Sequence, residues 1–222
     1  MSTQVSRTLD TSTVALRLGM CAAALAGVAA PMSDANAVTV TFNTPISVTN
    51  SFDGVYINLL TGASGVAGSG VAGWDFNPYN SGAGLSFFWN SAPSAAGGVA
   101  TAATGGTYID MAPGTTISAA STFTAITATA ATAAFKTVGT HTLGVRFYNE
   151  NTAAINYGYV TLTSAGGTGF PLTVSGWTFE NSGAAITTPV PEASTPAMFS
   201  LGALALGALN LRKLRRARKL AA

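Results

Sequence analysis

Between Val38 and Thr188 the large side chains come in short bursts, and glycine-rich breaks keep the bursts apart. They are Val38-Thr39-Val40-Thr41-Phe42, Val55-Tyr56-Ile57-Asn58-Leu59, Leu85-Ser86-Phe87-Phe88-Trp89, Leu143-Gly144-Val145-Arg146-Phe147-Tyr148, Tyr157-Gly158-Tyr159-Val160-Thr161-Leu162 and Leu172-Thr173-Val174-Ser175-Gly176-Trp177-Thr178-Phe179. β-Branched and aromatic residues lead them, and several alternate with period two, which is the mark of strands with one buried face. The breaks, such as Thr61 to Gly73 and Ala95 to Gly106, separate strands rather than helices. No stretch of the body joins a helical period to credible caps. Roughly eight or more short strands in one such stretch predict an all-β fold, an antiparallel β-sandwich or jelly-roll-like body. A domain of about 150 residues buries about 70% of its unfolded surface, enough for one core without staples. Thr115 to Ala134 is low in complexity; its threonines favour strand or irregular loop over the helix that its alanines would allow.

Charge is scarce and segregated. Only 8% of the residues are charged, whereas 48% are hydrophobic, against roughly 25% charged in a typical soluble domain. Arg212, Lys213, Arg215, Arg216, Arg218 and Lys219 gather near the carboxyl end. The body holds Asp53, Asp75, Asp110, Glu150 and Glu180 against Lys136 and Arg146, so it is net negative. A nucleic-acid-binding domain needs its cations on a folded face, and this composition excludes that class.

Both ends read as addresses. Arg7 and Arg17 precede the apolar run Leu18 to Pro31, which is too short to span a hydrocarbon core of ~30 Å as a helix. Ala35 and Ala37 are the small residues a signal peptidase accepts, so residues 1–37 are expected to be a signal peptide cut before Val38. The only cysteine, Cys21, lies inside that segment, which leaves the mature chain without disulfides or thiolate metal ligands. At the other end the uncharged run Ala197 to Leu211 is expected to be a single transmembrane helix, and the basic tail 212–219 its cytoplasmic stop. Prolines 189 and 191 hold the strip before it extended.

Val190-Pro191-Glu192, then Ser194-Thr195, an apolar helix and an Arg/Lys cluster resemble the PEP-CTERM sorting signal of Gram-negative bacteria. The resemblance implies that residues 189–222 are a sorting signal recognised by an exosortase, a membrane-embedded cysteine peptidase that cuts in this strip and releases the anchor. Ala193 stands where the family usually has a second proline. Phe52-Asp53-Gly54-Val55-Tyr56-Ile57-Asn58, Gly73-Trp74-Asp75-Phe76-Asn77-Pro78, Leu143-Gly144-Val145-Arg146-Phe147, Asn156-Tyr157-Gly158-Tyr159-Val160 and Gly176-Trp177-Thr178-Phe179-Glu180 resemble bodies carried by many such proteins. That resemblance implies an exported β domain over 38–188 and transfers no catalytic residue.

Chemistry-bearing patterns are few. Gly68-Ser69-Gly70-Val71-Ala72-Gly73 matches G-x-G-x-x-G, yet no helix start follows to hold a pyrophosphate, so it reads as a flexible glycine loop and no cofactor is expected. His141, the only histidine, would need a serine nucleophile and an acid such as Asp110 or Glu150 to form a triad, and no G-x-S-x-G elbow is present. A glycosidase would need two carboxylates about 5–10 Å apart. Asp53, Asp75 and Asp110 read instead as residues of turns or strand edges, with calcium at such turns as the alternative. Trp74, Tyr79, Trp89, Tyr157, Tyr159 and Trp177 could stack on sugar rings, against the competing demand of a core short of large side chains.

The expectation is therefore a non-enzymatic exported protein of the cell surface or extracellular matrix, with no metal site and no catalytic residue. Its processing partners are signal peptidase and an exosortase, and it meets the inner membrane in transit. A carbohydrate-binding module for exopolysaccharide is the alternative, told by aromatics in an exposed row. A secreted hydrolase is the third, told by two carboxylates converging in a cleft.

Overall fold

A computed structural model describes residues 38–91 and 96–191, all within the second of two compact units, 38–222. The protein is mostly β, with antiparallel sheets. Its strands are β1 (Thr39–Phe42), β2 (Ile46–Val48), β3 (Tyr56–Ile57), β4 (Ser64–Gly65), β5 (Phe76–Asn80), β6 (Leu85–Trp89), β7 (Gly97–Val99), β8 (Thr116–Ile117), β9 (Phe123–Thr124), β10 (Val138–Asn149), β11 (Ala154–Ala165), β12 (Leu172–Glu180) and β13 (Ile186–Thr187). The bursts read from the sequence fall on β1, β3, β6, β10, β11 and β12.

The larger sheet runs β1-β12-β11-β10-β7-β9, with β2 also on β12. Its centre is a meander in which β10 pairs with β11 over the full length of both, from Val138↔Ala165 to Asn149↔Ala154. The smaller sheet runs β4-β3-β5-β6. Between the two lies one core, in which Ile57, Phe76, Phe87 and Trp89 of the smaller sheet meet Leu143, Val160, Val174 and Trp177 of the larger. The Trp177 indole N–H crosses to the Leu59 carbonyl at 2.8 Å, so even the buried polar atom of this large ring is satisfied.

The alternation in β12 carries a phase error that the fold repairs. Leu172 and Val174 are buried, and so are Trp177 and Phe179, which stand at odd spacing from the first pair. Thr161 pairs with Gly176 but Leu162 with Val174, leaving Ser175 as an extra residue in a β-bulge. The bulge shifts the strand by one residue and returns both pairs to the same face.

The larger sheet's second face is covered. Ile117 on β8 pairs with Ile186 on β13, and with Val99, Met111 and Phe123 they form a second buried cluster packed on Tyr157 and Tyr159. Gly144 on β10 makes this close approach possible: a Cβ there would lie 2.6 Å from Val99 Cγ2. The Arg146 guanidinium stacks 4.8 Å over Phe123 on the same side.

One sequence expectation is corrected in part. Thr115 to Ala134 begins as the strands β8 and β9, but Thr129–Lys136 forms a 3-10 helix. Its N-cap residue Ala128 supplies no side-chain hydrogen bond. Burial of Ala131, Thr132 and Phe135 holds it instead, with Thr132 Oγ1 donating to the Leu85 carbonyl at 2.6 Å. Tertiary packing here overrides weak local propensity.

Candidate functional site

Strand β6 places consecutive phenylalanines on opposite faces of the smaller sheet. Phe87 is 0% exposed and enters the core, whereas Phe88 is 41% exposed on the outer face. Cross-strand register puts Asn77 of β5 opposite Phe88, and Tyr79 lies two residues on, so all three share that outer face. Tyr56 of β3 joins them through Trp74: the Tyr56 and Trp74 rings meet edge-on at 4.8 Å, and Trp74 lies 5.4 Å from Phe88.

Phe52, 72% exposed, reaches this face from the loop before β3. Asn77 Nδ2 donates to the Asp53 carbonyl at 3.1 Å, and the Asn80 backbone N–H donates to the Ser51 carbonyl at 2.9 Å, tying that loop to β5. Gly54 turns the loop at φ +60°, and a Cβ there would lie 2.3 Å from the Pro78 carbonyl oxygen. Only glycine fits so close an approach in that conformation.

Phe52, Tyr56, Asn77, Tyr79 and Phe88 line a shallow cavity of about 230 Å³. Asn77 is 2% exposed, and its Oδ1 has no hydrogen-bond partner. Such an acceptor is an unusual feature in a folded protein, and it lies beneath the aromatic lining. Two larger cavities, of about 420 and 340 Å³, are lined by Ser47, Val48, Thr49 and neighbours and by the loop around Asp110. Neither gathers aromatic rings around a buried amide.

The structure brings together part of what a triad needs. His141 Nδ1 lies 2.7 Å from Asp110 Oδ2, and the Thr142 backbone N–H donates to Asp110 Oδ1 at 2.8 Å. Nε2, however, faces the Thr137 carbonyl at 3.0 Å. The nearest hydroxyl described, Thr137 Oγ1, is 3.4 Å away and itself bonds the Ala134 carbonyl. The pair latches the Asp110 loop onto β10, and Glu150 has no part in it.

Asp75, which the sequence places at a turn or strand edge, is buried. Its Oδ2 accepts the Leu59 N–H at 2.9 Å. Burial, opposed by that hydrogen bond and reinforced by the charge of Glu150, pushes its pKa up to about 8. Asp75 and Glu150 line none of the three cavities above. Among the described residues no group of three His, Cys, Asp or Glu side chains is placed to hold a metal ion.

Of the six aromatics singled out in the sequence, Trp89 and Trp177 belong to the main core, and Tyr157 and Tyr159 pack on the second cluster. Trp74 and Tyr79 are half-buried on the outer face. Phe52, Tyr56, Phe88 and Asn77 were missed as site residues; the alternation of Phe88 with buried Phe87 and Trp89 was the available signal. The glycine motif at 68–73 forms one 3-10 turn, Gly68–Gly70, and then runs toward strand β5. Val190, 66% exposed, and exposed Pro191 end the described chain. Ala35, Ala37, Glu192, Arg212, Lys213, Arg215, Arg216 and the segment 197–211 lie outside the described residues. Among the described residues no helix is long and apolar enough to cross a membrane.

Fold and site together define an all-β protein of sandwich-like character with one aromatic outer face. Comparison with protein-family models, with curated proteins and with solved structures finds no match for this chain.

Proposed function

We propose that this chain is an exported, non-enzymatic protein of the cell surface or extracellular matrix, sorted by its carboxyl end and cleaved there by an exosortase. In this reading the body is a β-sandwich of jelly-roll-like kind, consistent with the pairing of the first strand, β1, with β12 near the end of the domain. Signal peptidase removes residues 1–37, the segment 197–211 holds the precursor in the inner membrane, and Arg212, Lys213, Arg215 and Arg216 stop transfer.

The observation that carries the reading is the way the folded body ends. Thr188 is buried and pinned: its N–H donates to the Thr115 carbonyl at 2.9 Å, its carbonyl accepts from Gly114 at 3.1 Å, and its hydroxyl donates to the Ala112 carbonyl at 2.8 Å. Two residues later Val190 is largely exposed. A peptidase requires an accessible substrate strand, and Val190 and Pro191 are exposed directly beyond the last pinned residue. Cleavage there would leave β13 and its hydrogen bonds intact.

The test is the intact mass of the protein from envelope and medium fractions of its native host. Released material is expected to begin at Val38 and end near Pro191 or Glu192. A membrane-bound species that still carries Lys219 as the sole form would refute the sorting. The second reading, a carbohydrate-binding module, is favoured by the aromatic cavity.

A further inference from the structure

We infer that the cavity formed by Phe52, Tyr56, Tyr79 and Phe88 binds a sugar ring of a neutral polysaccharide, by stacking on the rings and by hydrogen bonding to the Asn77 amide in its floor. This rests on the reading of the chain as an exported surface protein, whose surroundings include polysaccharide.

Aromatic exposure is the first support. The body is poor in large side chains, and its two cores absorb most of them. Phe52 and Phe88 are nonetheless held in water on the same side of one small sheet, beside half-exposed Tyr56 and Tyr79. Exposed apolar groups gathered around a concavity with a few polar atoms are the usual make-up of a ligand site. The flat apolar faces of pyranose rings match such a surface, and their hydroxyls match the phenols of Tyr56 and Tyr79 in its lining.

The buried amide is the second support. Asn77 Nδ2 is committed to the Asp53 carbonyl, which fixes the amide's orientation and leaves Oδ1 as an acceptor without a donor. A buried acceptor in that state is costly. Gly54, itself buried, packs against Oδ1, where a Cβ would come within 2.4 Å; a ligand hydroxyl that shifts this turn aside would supply the missing donor.

Charge selects the ligand class. The body's two cations are engaged elsewhere, Arg146 over Phe123 and Lys136 on the Thr129 carbonyl at 2.7 Å. The charged residue beside the cavity is Asp53, exposed next to Phe52. A uronate would meet an anion and no cation, so the site suits a neutral chain.

Titration of tryptophan emission tests this, because Trp74 touches the cavity rings whereas Trp89 and Trp177 are buried. The full chain in nanodiscs would be titrated with dextran, laminarin, galactomannan and, as the charged counterpart, alginate. Saturable binding of at least one neutral polymer is expected, with alginate at least 10-fold weaker. Phe88→Ala and Phe52→Ser should each weaken binding 10-fold or more while shifting the urea midpoint far less than Phe87→Ala does. Absence of saturation with every neutral polymer, or undiminished binding by both variants, overturns the inference. So does a concentration-dependent dimer that Phe88→Ala abolishes, which would make the face a contact with a second copy. Loss of sugar binding leaves the masses of the fractions unchanged, so this inference and the export reading fail separately.

Discussion

The two sheets share a core, yet their second faces are treated in opposite ways. On the larger sheet, Gly144 clears room for Val99 and Ile117, and the buried cluster that includes Ile117 of β8 and Ile186 of β13 packs on Tyr157 and Tyr159, which stay partly exposed. On the smaller sheet, the outer face carries Tyr56, Tyr79 and Phe88, and among the described residues the Phe52 loop borders their cavity. Burial of aromatic area is among the largest favourable terms open to a chain so poor in bulk. Among the described residues Phe52 and Phe88 stay exposed and forgo part of that stabilisation, as groups at binding surfaces commonly do.

The sharpest break of this comparison uses two neighbours. Phe87→Ala removes a fully buried ring that touches Phe76, Phe135 and Tyr108. It should cost about 3–5 kcal/mol in urea unfolding, by the usual toll of a core Phe→Ala change. Phe88→Ala, one residue away, should change stability by only about 0.5 kcal/mol. Similar losses at both positions would mean that the outer face is covered.

Ile117→Ala probes the covered face. It should cost about 2–4 kcal/mol and loosen the β8–β13 pairing. Faster amide exchange at Thr115 and Thr188, whose N–H groups are bonded there, would report it. Exchange that remains as slow as in the central meander would show that the cover does not depend on its apolar cluster.

Asp75 gives a pH signature to the core edge. The unfolded carboxyl ionises near 3.8, whereas the folded one keeps its proton up to about 8. Below the lower value both states are protonated. Between the two, the folded state holds a proton that the unfolded chain has released. Stability should therefore fall as pH rises, by up to about 1.4 kcal/mol per pH unit, and level off above the upper value. Asp75→Asn should flatten this slope while keeping an acceptor for the Leu59 N–H. An unchanged slope in the variant would place the titrating group elsewhere.

Much of the strand pattern was legible because alternation is a local property. Leu85 to Trp89 reads directly as β6, and Leu172 to Phe179 falls within β12 even though its alternation slips. The slip at Ser175 could be read as a bulge only once Thr161 and Leu162 supplied the register. The cover was not legible. Strands β8, β9 and β13 are two residues long, and their neighbours are threonine and alanine without period. Of the aromatic cavity's five lining residues only Tyr79 was legible, with Trp74 beside them. The role of Phe52 depends on a loop whose partners, Asn77 and Asn80, stand more than twenty residues away in the chain.

The sequence by itself determined that the body would be built of antiparallel strands without disulfides, since β-branched alternation, glycine breaks and the absence of cysteine beyond Cys21 are properties of the chain. It also determined that Phe87 and Phe88 would face opposite ways, because successive side chains on a strand must do so. Only the tertiary structure decided which of those faces would be roofed. It likewise brought Asp110 to His141, pushed Asp75 out of water and left Asn77 without a donor. The reason is that period two distinguishes two faces without saying what packs on either. That depends on segments remote in sequence, and on glycines such as Gly144 and Gly54 where backbone and side chain come too close for any other residue.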